Sequence, residues 1–249
     1  MVTIVPGGGA HIGSVGGHFV VGGNATGDVH HRNGPPAPED AGIGEERGRP
    51  ERIVYAVSDP SDTARLGVMR EIRAVERLLD RRGVPDIEFD VLHACTAQDL
   101  LANLTRKHTT IVSFSGHATR EGLVMEDEAG HHRTLTYGEL AETPGVPETA
   151  PALVMLNACY SVAAAKSLLS AVPAIVGMKW TVGDAAACAF AEGFYDEILA
   201  GNALHAAMNQ GIAQLSLCGH KTEVQNPQLE VAPTVAPAHY RILRRPAQC

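Results

Sequence analysis

From about residue 52 the chain alternates short apolar runs with stretches whose apolar residues recur every three or four positions. That alternation constrains the fold more than any other feature, because parallel strands cannot be joined by tight turns and need crossover helices. Strands are expected over residues 52–57, 87–92, 110–115, 152–158 and 173–178, the fourth (ALVMLNA) apolar enough to be buried on both faces. Leu66, Met69, Ile72, Val75 and Leu79 mark the first helix, with Ser61 or Asp62 as its cap and Gly83-Val84-Pro85 as its stop. Further helices are expected over 97–106 (capped by Thr96), 161–171, 184–199 and 203–215, with a short one opened by the Thr136/Glu139 capping box. A hairpin turns at Glu128-Ala129-Gly130, and beyond Gly219 the pattern fades into Pro-rich extended chain. The expected fold is α/β, a three-layer sandwich with a mainly parallel central sheet.

The first 49 residues read differently. Half of the 26 glycines fall within the first 50 positions, and Phe19 is the only aromatic there. Such a stretch cannot bury enough apolar surface to offset its ordering entropy. Residues 1–49 are therefore expected to form a Gly/Pro-rich, largely disordered tail ahead of a domain over 50–249. Hydrophobic types make up 45% of the chain but aromatics only 4%, so the core must rest on Val, Leu, Ile and Ala. A net charge of −8 argues against a nucleic-acid surface. No apolar run approaches the ~18 residues of a membrane span, and MVTIVPGGGAHIG has no signal-peptide pattern. Five cysteines without a C-x-x-C pair read as reduced thiols, which predicts a cytoplasmic protein without membrane partners.

In an open α/β sheet, reactive groups collect beyond the carboxyl ends of the strands. His117 follows one such strand and Cys159 another. If those strands are neighbours, imidazole and thiol emerge on one edge and can act as base and nucleophile. Gly116, lacking Cβ, lets its backbone N–H approach an oxyanion. The plainer alternatives are a cysteine that fills core and a histidine that bonds locally. Other signals are weaker: the glycines of VTIVPGGGAHIG do not follow G-x-G-x-x-G, and His30-His31, His131-His132 and Cys218/His220 lack metal-ligand spacing. No metal or cofactor is expected, and no G-x-S-x-G elbow marks a serine hydrolase.

The segments YAVSDPSDTARLGVMREIRAVERLL, VSFSGHATREGLVMEDE, LVMLNACYSVAAAKSL and AIVGMKWTVGDAAACAFAEGFYDEIL resemble the CHAT family of caspase-like cysteine peptidases, from the broad clan of caspases and separase. The resemblance runs from Arg52 to Leu215. It implies His117 as general base, Cys159 as nucleophile, the Gly116 and Cys159 N–H groups as oxyanion hole, and a protein or peptide substrate. Ala118 departs from the second glycine of many relatives, and the chain after Cys218 departs from the usual family ending. KWTVGD is similar to the Trp-x-Val-x-Asp stretch of separase-like relatives, which implies a pocket at Trp180 and Asp184 selecting Arg or Lys before the cut. Asp184 would equally suit the N-cap of the helix that follows, and Asp59 and Asp62 are further pocket candidates. The tract GGHFVVGGNATGDVHH resembles the amyloid-signalling (RHIM-like) motifs beside bacterial defence effectors, with a plain disordered leader as the alternative. The resemblance implies an endopeptidase effector of bacterial immunity or programmed cell death, acting with a sensor protein or by self-assembly through its tail. A catalytically silent CHAT-like assembly module is the other reading.

Overall fold

The computed structural model describes residues 51–84, 86–106, 108–142 and 150–243. The N-terminal tail and its motif lie outside them.

The apolar runs form a six-stranded sheet from β1 (Glu51–Ser58), β2 (Ile87–Leu92), β3 (Thr109–Gly116), β6 (Leu153–Asn157), β7 (Ala174–Met178) and β8 (Pro227–Val231), ordered β2-β1-β3-β6-β7-β8. All pairings are parallel except β7–β8. β4 (Gly122–Glu126) and β5 (His132–Thr136) form the separate hairpin. The helices are α1 (Val68–Arg82), α2 (Ala97–Thr105), α3 (Tyr137–Ala141), α4 (Ala165–Leu168), α5 (Asp184–Leu199) and α6 (Leu204–Leu217).

Residues alternate across the sheet, and the two faces carry two cores. Ile53, Tyr55 and Val57 of β1 join α1, α5 and α6 around Phe190 and Phe194, while Ala56 faces the layer of α2, α3, α4 and the hairpin. Every residue of β6 and β7 is buried, the apolar run of each covered on both faces and the terminal Asn157 of β6 with it.

Local signals decide where several elements begin and end. Thr96 and Thr136 both make reciprocal capping boxes, with Asp99 and Glu139. Gly83 ends α1 at φ 56°, a left-handed conformation that costs a residue without Cβ little. Other expectations are corrected. Neither Ser61 nor Asp62 caps α1, which starts later with Gly67 at the N-cap. Those two side chains instead reach the hairpin, Ser61 at the Gly130 carbonyl and Asp62 at His132. The expected helix 161–171 shrinks to a 3-10 turn, Ser161–Ala164, followed by α4. The region beyond Gly219 contains β8, a half-buried strand that opens on a proline, the position a strand best tolerates.

Candidate active site

The β3–β6 register pairs Ser115 with Asn157, so the chain leaves both strands side by side. His117 and Cys159, each two residues further on, come together in one cavity. It is lined also by Leu66, Gly67, Glu71, Asn157, Val182 and Asp184.

The His117 ring is oriented by a backbone group. Nε2 lies 2.7 Å from the carbonyl oxygen of Ala64. A carbonyl can only accept, so Nε2 carries the hydrogen, and in the neutral ring Nδ1 keeps the free lone pair. The loop supplying that carbonyl is itself tethered. Asp59 takes Leu66 N–H and the Arg65 guanidinium, its own N–H goes to Glu126, and Asp62 takes two donors from His132. Asp59 and Asp62 therefore hold the loop and do not line the cavity.

Cys159 is half-buried and follows β6, every residue of which is buried. Its Sγ lies between the two backbone groups of Val182, accepting the N–H at 3.4 Å and donating to the carbonyl at 3.9 Å. Tyr160 next to it has φ 57°, an uncommon conformation for a residue with Cβ. This sharp turn carries the chain from strand into the 3-10 turn. The other thiols are differently placed: burial pushes Cys95 up to about 12 and raises Cys188, while Cys218 is exposed.

Gly116 is buried, and a Cβ there would sit 2.6 Å from the Ser58 carbonyl oxygen. Packing between β1 and β3 thus demands glycine on its own account. Among the described residues, the backbone N–H groups of Ala118 and Cys159 have no acceptor.

Asp184 lines the cavity, and its Oδ2 accepts the Gly67 N–H at 2.6 Å. The N-cap reading is not realised: Gly183 is the cap, and Asp184 is the first residue of α5. Trp180 stands apart from the cavity lining, 38% exposed, with Lys179 Nζ 5.8 Å from its ring centroid.

Two contributors were absent from the sequence reading. Asn226, fully buried, clamps the loop between β7 and α5: Oδ1 accepts Trp180 N–H, Nδ2 donates to the Thr181 carbonyl, and its backbone carbonyl accepts Lys179 N–H. Glu71, 3% exposed, faces the cavity from α1 and accepts hydrogen bonds from Tyr55 and Ser115. Its spacing from Val68, Val75 and Leu78 places it on the apolar face of the helix, a signal available in the sequence.

The CHAT domain family matches residues 43–229. A search of curated proteins found no match. Among solved structures, the Arg-specific cysteine proteinase gingipain R is similar at TM-score 0.54 and 11% identity, over 74% of this chain and 46% of that one. The complex of Porphyromonas gingivalis RgpB pro- and mature domains is similar at TM-score 0.51 and 10% identity, over 74% and 47%. A structure described as a protease gives TM-score 0.54 and 13% identity, over 76% and 48%. At these identities the likeness is one of fold, and the chain spans less than half the length of each.

Proposed function

The chain belongs to the CHAT domain family, and from that premise we propose that it is a cysteine endopeptidase with His117 as general base and Cys159 as nucleophile. The observation that carries the reading is that adjacent parallel strands deliver both residues into one cavity. His117 Nδ1 takes the thiol proton, and Sγ attacks the carbonyl carbon of the scissile peptide bond. The oxyanion is met by the Cys159 N–H and a second N–H from the turn of Gly116, His117 and Ala118. The same Nδ1 gives the proton to the departing amine, leaving an acyl-thioester. Water, deprotonated by Nδ1, then attacks the thioester carbonyl and releases the acid and the thiol.

Asp184, in the same cavity, is assigned to the residue before the cut and favours Arg or Lys there. Trp180, on the loop that leads into α5, contributes to the rim outside that cavity. The resemblance of residues 16–31 to amyloid-signalling motifs supports an effector switched on in the cytoplasm by a sensor with a matching motif. Residues 1–49 then form the signalling tail of a domain over 50–249.

A chloromethyl ketone peptide tests the dyad. It should alkylate Cys159 ahead of the exposed Cys218, and peptide cleavage should disappear in Cys159→Ala. His117→Ala should lower the rate about 10²–10⁴-fold with the fold intact. Alkylation that tracks exposure alone would leave the silent assembly module as the better reading.

A further inference from the structure

We infer that Glu71 is a second specificity-determining residue, and that with Asn157 it selects an arginine side chain over lysine in the cavity beside Cys159. The inference rests on that cavity being the pocket for the residue before the cut.

The donors around the base of the cavity are already committed. Tyr55 and Ser115 hydroxyls donate to Glu71, and Asn157 Nδ2 donates to the Ala187 carbonyl at 3.0 Å while the Asn157 amide also bonds the Glu71 carboxyl. Acceptors remain among the side chains there: Asn157 Oδ1 is buried without a hydrogen-bond partner, and Asp184, whose Oδ2 takes the Gly67 N–H, lines the same cavity. Glu71 has only neutral donors, and among the described residues no cationic side chain pairs with it. A buried carboxyl without a countercharge and a buried amide oxygen without a donor are both costly. A ligand bringing positive charge and several N–H groups relieves both.

The groups facing Glu71 are Tyr55 from β1, Ser115 from β3, Asn157 from β6, and Asp184, Cys188 and Tyr195 from α5. His117 and Cys159 line the same cavity, and no Lys or Arg is among its lining residues. Burial raises the Glu71 carboxyl, and the nearby Asp184 charge adds to the rise. A cation in the cavity opposes both effects. A guanidinium offers five N–H groups in a planar fork that can address two separated acceptors at once. An ammonium is a compact charge with three donors. Arginine therefore gains more than lysine from this arrangement.

The test compares alkylation of Cys159 in the full chain by acyl-Arg, acyl-Lys and acyl-Leu chloromethyl ketones, each rate read relative to the Leu reagent. Arg should lead Lys in the wild type. Glu71→Gln keeps the shape and hydrogen-bonding capacity of the neutral acid, and the Arg-to-Lys ratio should fall at least about tenfold. An unchanged ratio, with the basic preference still lost in Asp184→Asn, overturns the role of Glu71 and leaves the pocket reading standing. No preference for basic reagents in the wild type overturns both, and no alkylation at Cys159 overturns the peptidase reading with them. A measurement on the wild type stands independently of how the variant folds. Infrared difference spectra on binding an acyl-arginine aldehyde should show a change in buried carboxyl bands that an acyl-leucine aldehyde does not produce. Identical carboxyl bands with the two aldehydes bound overturn the inference.

Discussion

Arg52 and Glu71 are both withdrawn from water, at 9% and 3% exposure, yet their surroundings are opposite. Arg52 is the second residue of β1, at the amino-end side of the sheet, and all three nitrogens of its guanidinium have partners. Nε and Nη2 reach Asp90 Oδ2 at 2.7 and 2.6 Å, and Nη1 reaches Asn103 Oδ1 and Thr109 Oγ1 at 3.1 and 3.0 Å. Glu71 lies toward the carboxyl ends with neutral donors, no paired cation among the described residues, and the unpartnered Asn157 Oδ1 beside the same cavity. A charge buried with its partners closed around it serves the fold. Acceptors left open around a cavity lower stability and suit a ligand. The two clusters thus divide structural from functional polarity along one sheet.

Removing Arg52 is the strongest way to break that contrast. Arg52→Ala leaves Asn103 Oδ1 and the Thr109 hydroxyl without their donor, and Asp90 without its charge partner. Asp90 is about half exposed, so water recovers part of the loss. The expected cost is about 3 kcal/mol, the lower end for breaking a buried pair, read from urea unfolding. A cost below about 1 kcal/mol would mean that the closed cluster is no more structural than an exposed ion pair.

Asn226→Ala comes next and acts on the cavity end. Its side chain links the backbone at Trp180 and Thr181 with Glu223. Losing these bonds should cost about 2 kcal/mol, with two backbone groups left to find other partners. The same loop brings the Val182 N–H to Cys159 Sγ, so alkylation of Cys159 should slow about tenfold, as expected for one hydrogen bond to a charged atom. A stability loss at unchanged thiol reactivity would show that Asn226 supports the fold without positioning the sulfur.

The sequence exposes the fold and the placement of His117 and Cys159 for the same reason. Strand and helix periods and the polar residues at strand ends are local, and they locate β3, β6, His117 and Cys159 directly. What it conceals depends on partners far along the chain. Ser61 and Asp62 look like helix caps until the hairpin some 70 residues later claims them. Asp184 looks like a cap because its contact with Gly67 spans 117 positions. β8 is hidden by half-burial and prolines, and Asn226 by lying where no period is visible. Glu71 is a middle case. Its helical position marks it as buried, but only the assembled sheet shows that nothing cationic comes to meet it.

The smallest expected effect is the most discriminating, because Glu71→Gln should change how stability depends on pH more than stability itself. The folded carboxyl is raised above its ordinary value near 4.5, chiefly by burial. A group raised on folding contributes fully below its unfolded value. That contribution falls as pH climbs from there, and it is gone above the folded value. Glutamine has no such dependence. The variant and the wild type should therefore be closest in acid, and the variant should gain on the wild type as pH rises through the carboxyl range, at no more than about 1.4 kcal/mol per pH unit for one proton. Urea unfolding of both proteins across that range reads the difference directly, since the lowered carboxyls of Asp62, Asp127 and Glu139 are common to both and cancel. Carrying the acyl-Arg adduct on Cys159, the wild type should lose much of this slope, because a nearby guanidinium favours the ionised carboxylate. The Leu adduct should keep it. A parallel pH course for variant and wild type would mean that folding does not raise the Glu71 carboxyl, and the contrast with Arg52 would then lie in geometry alone.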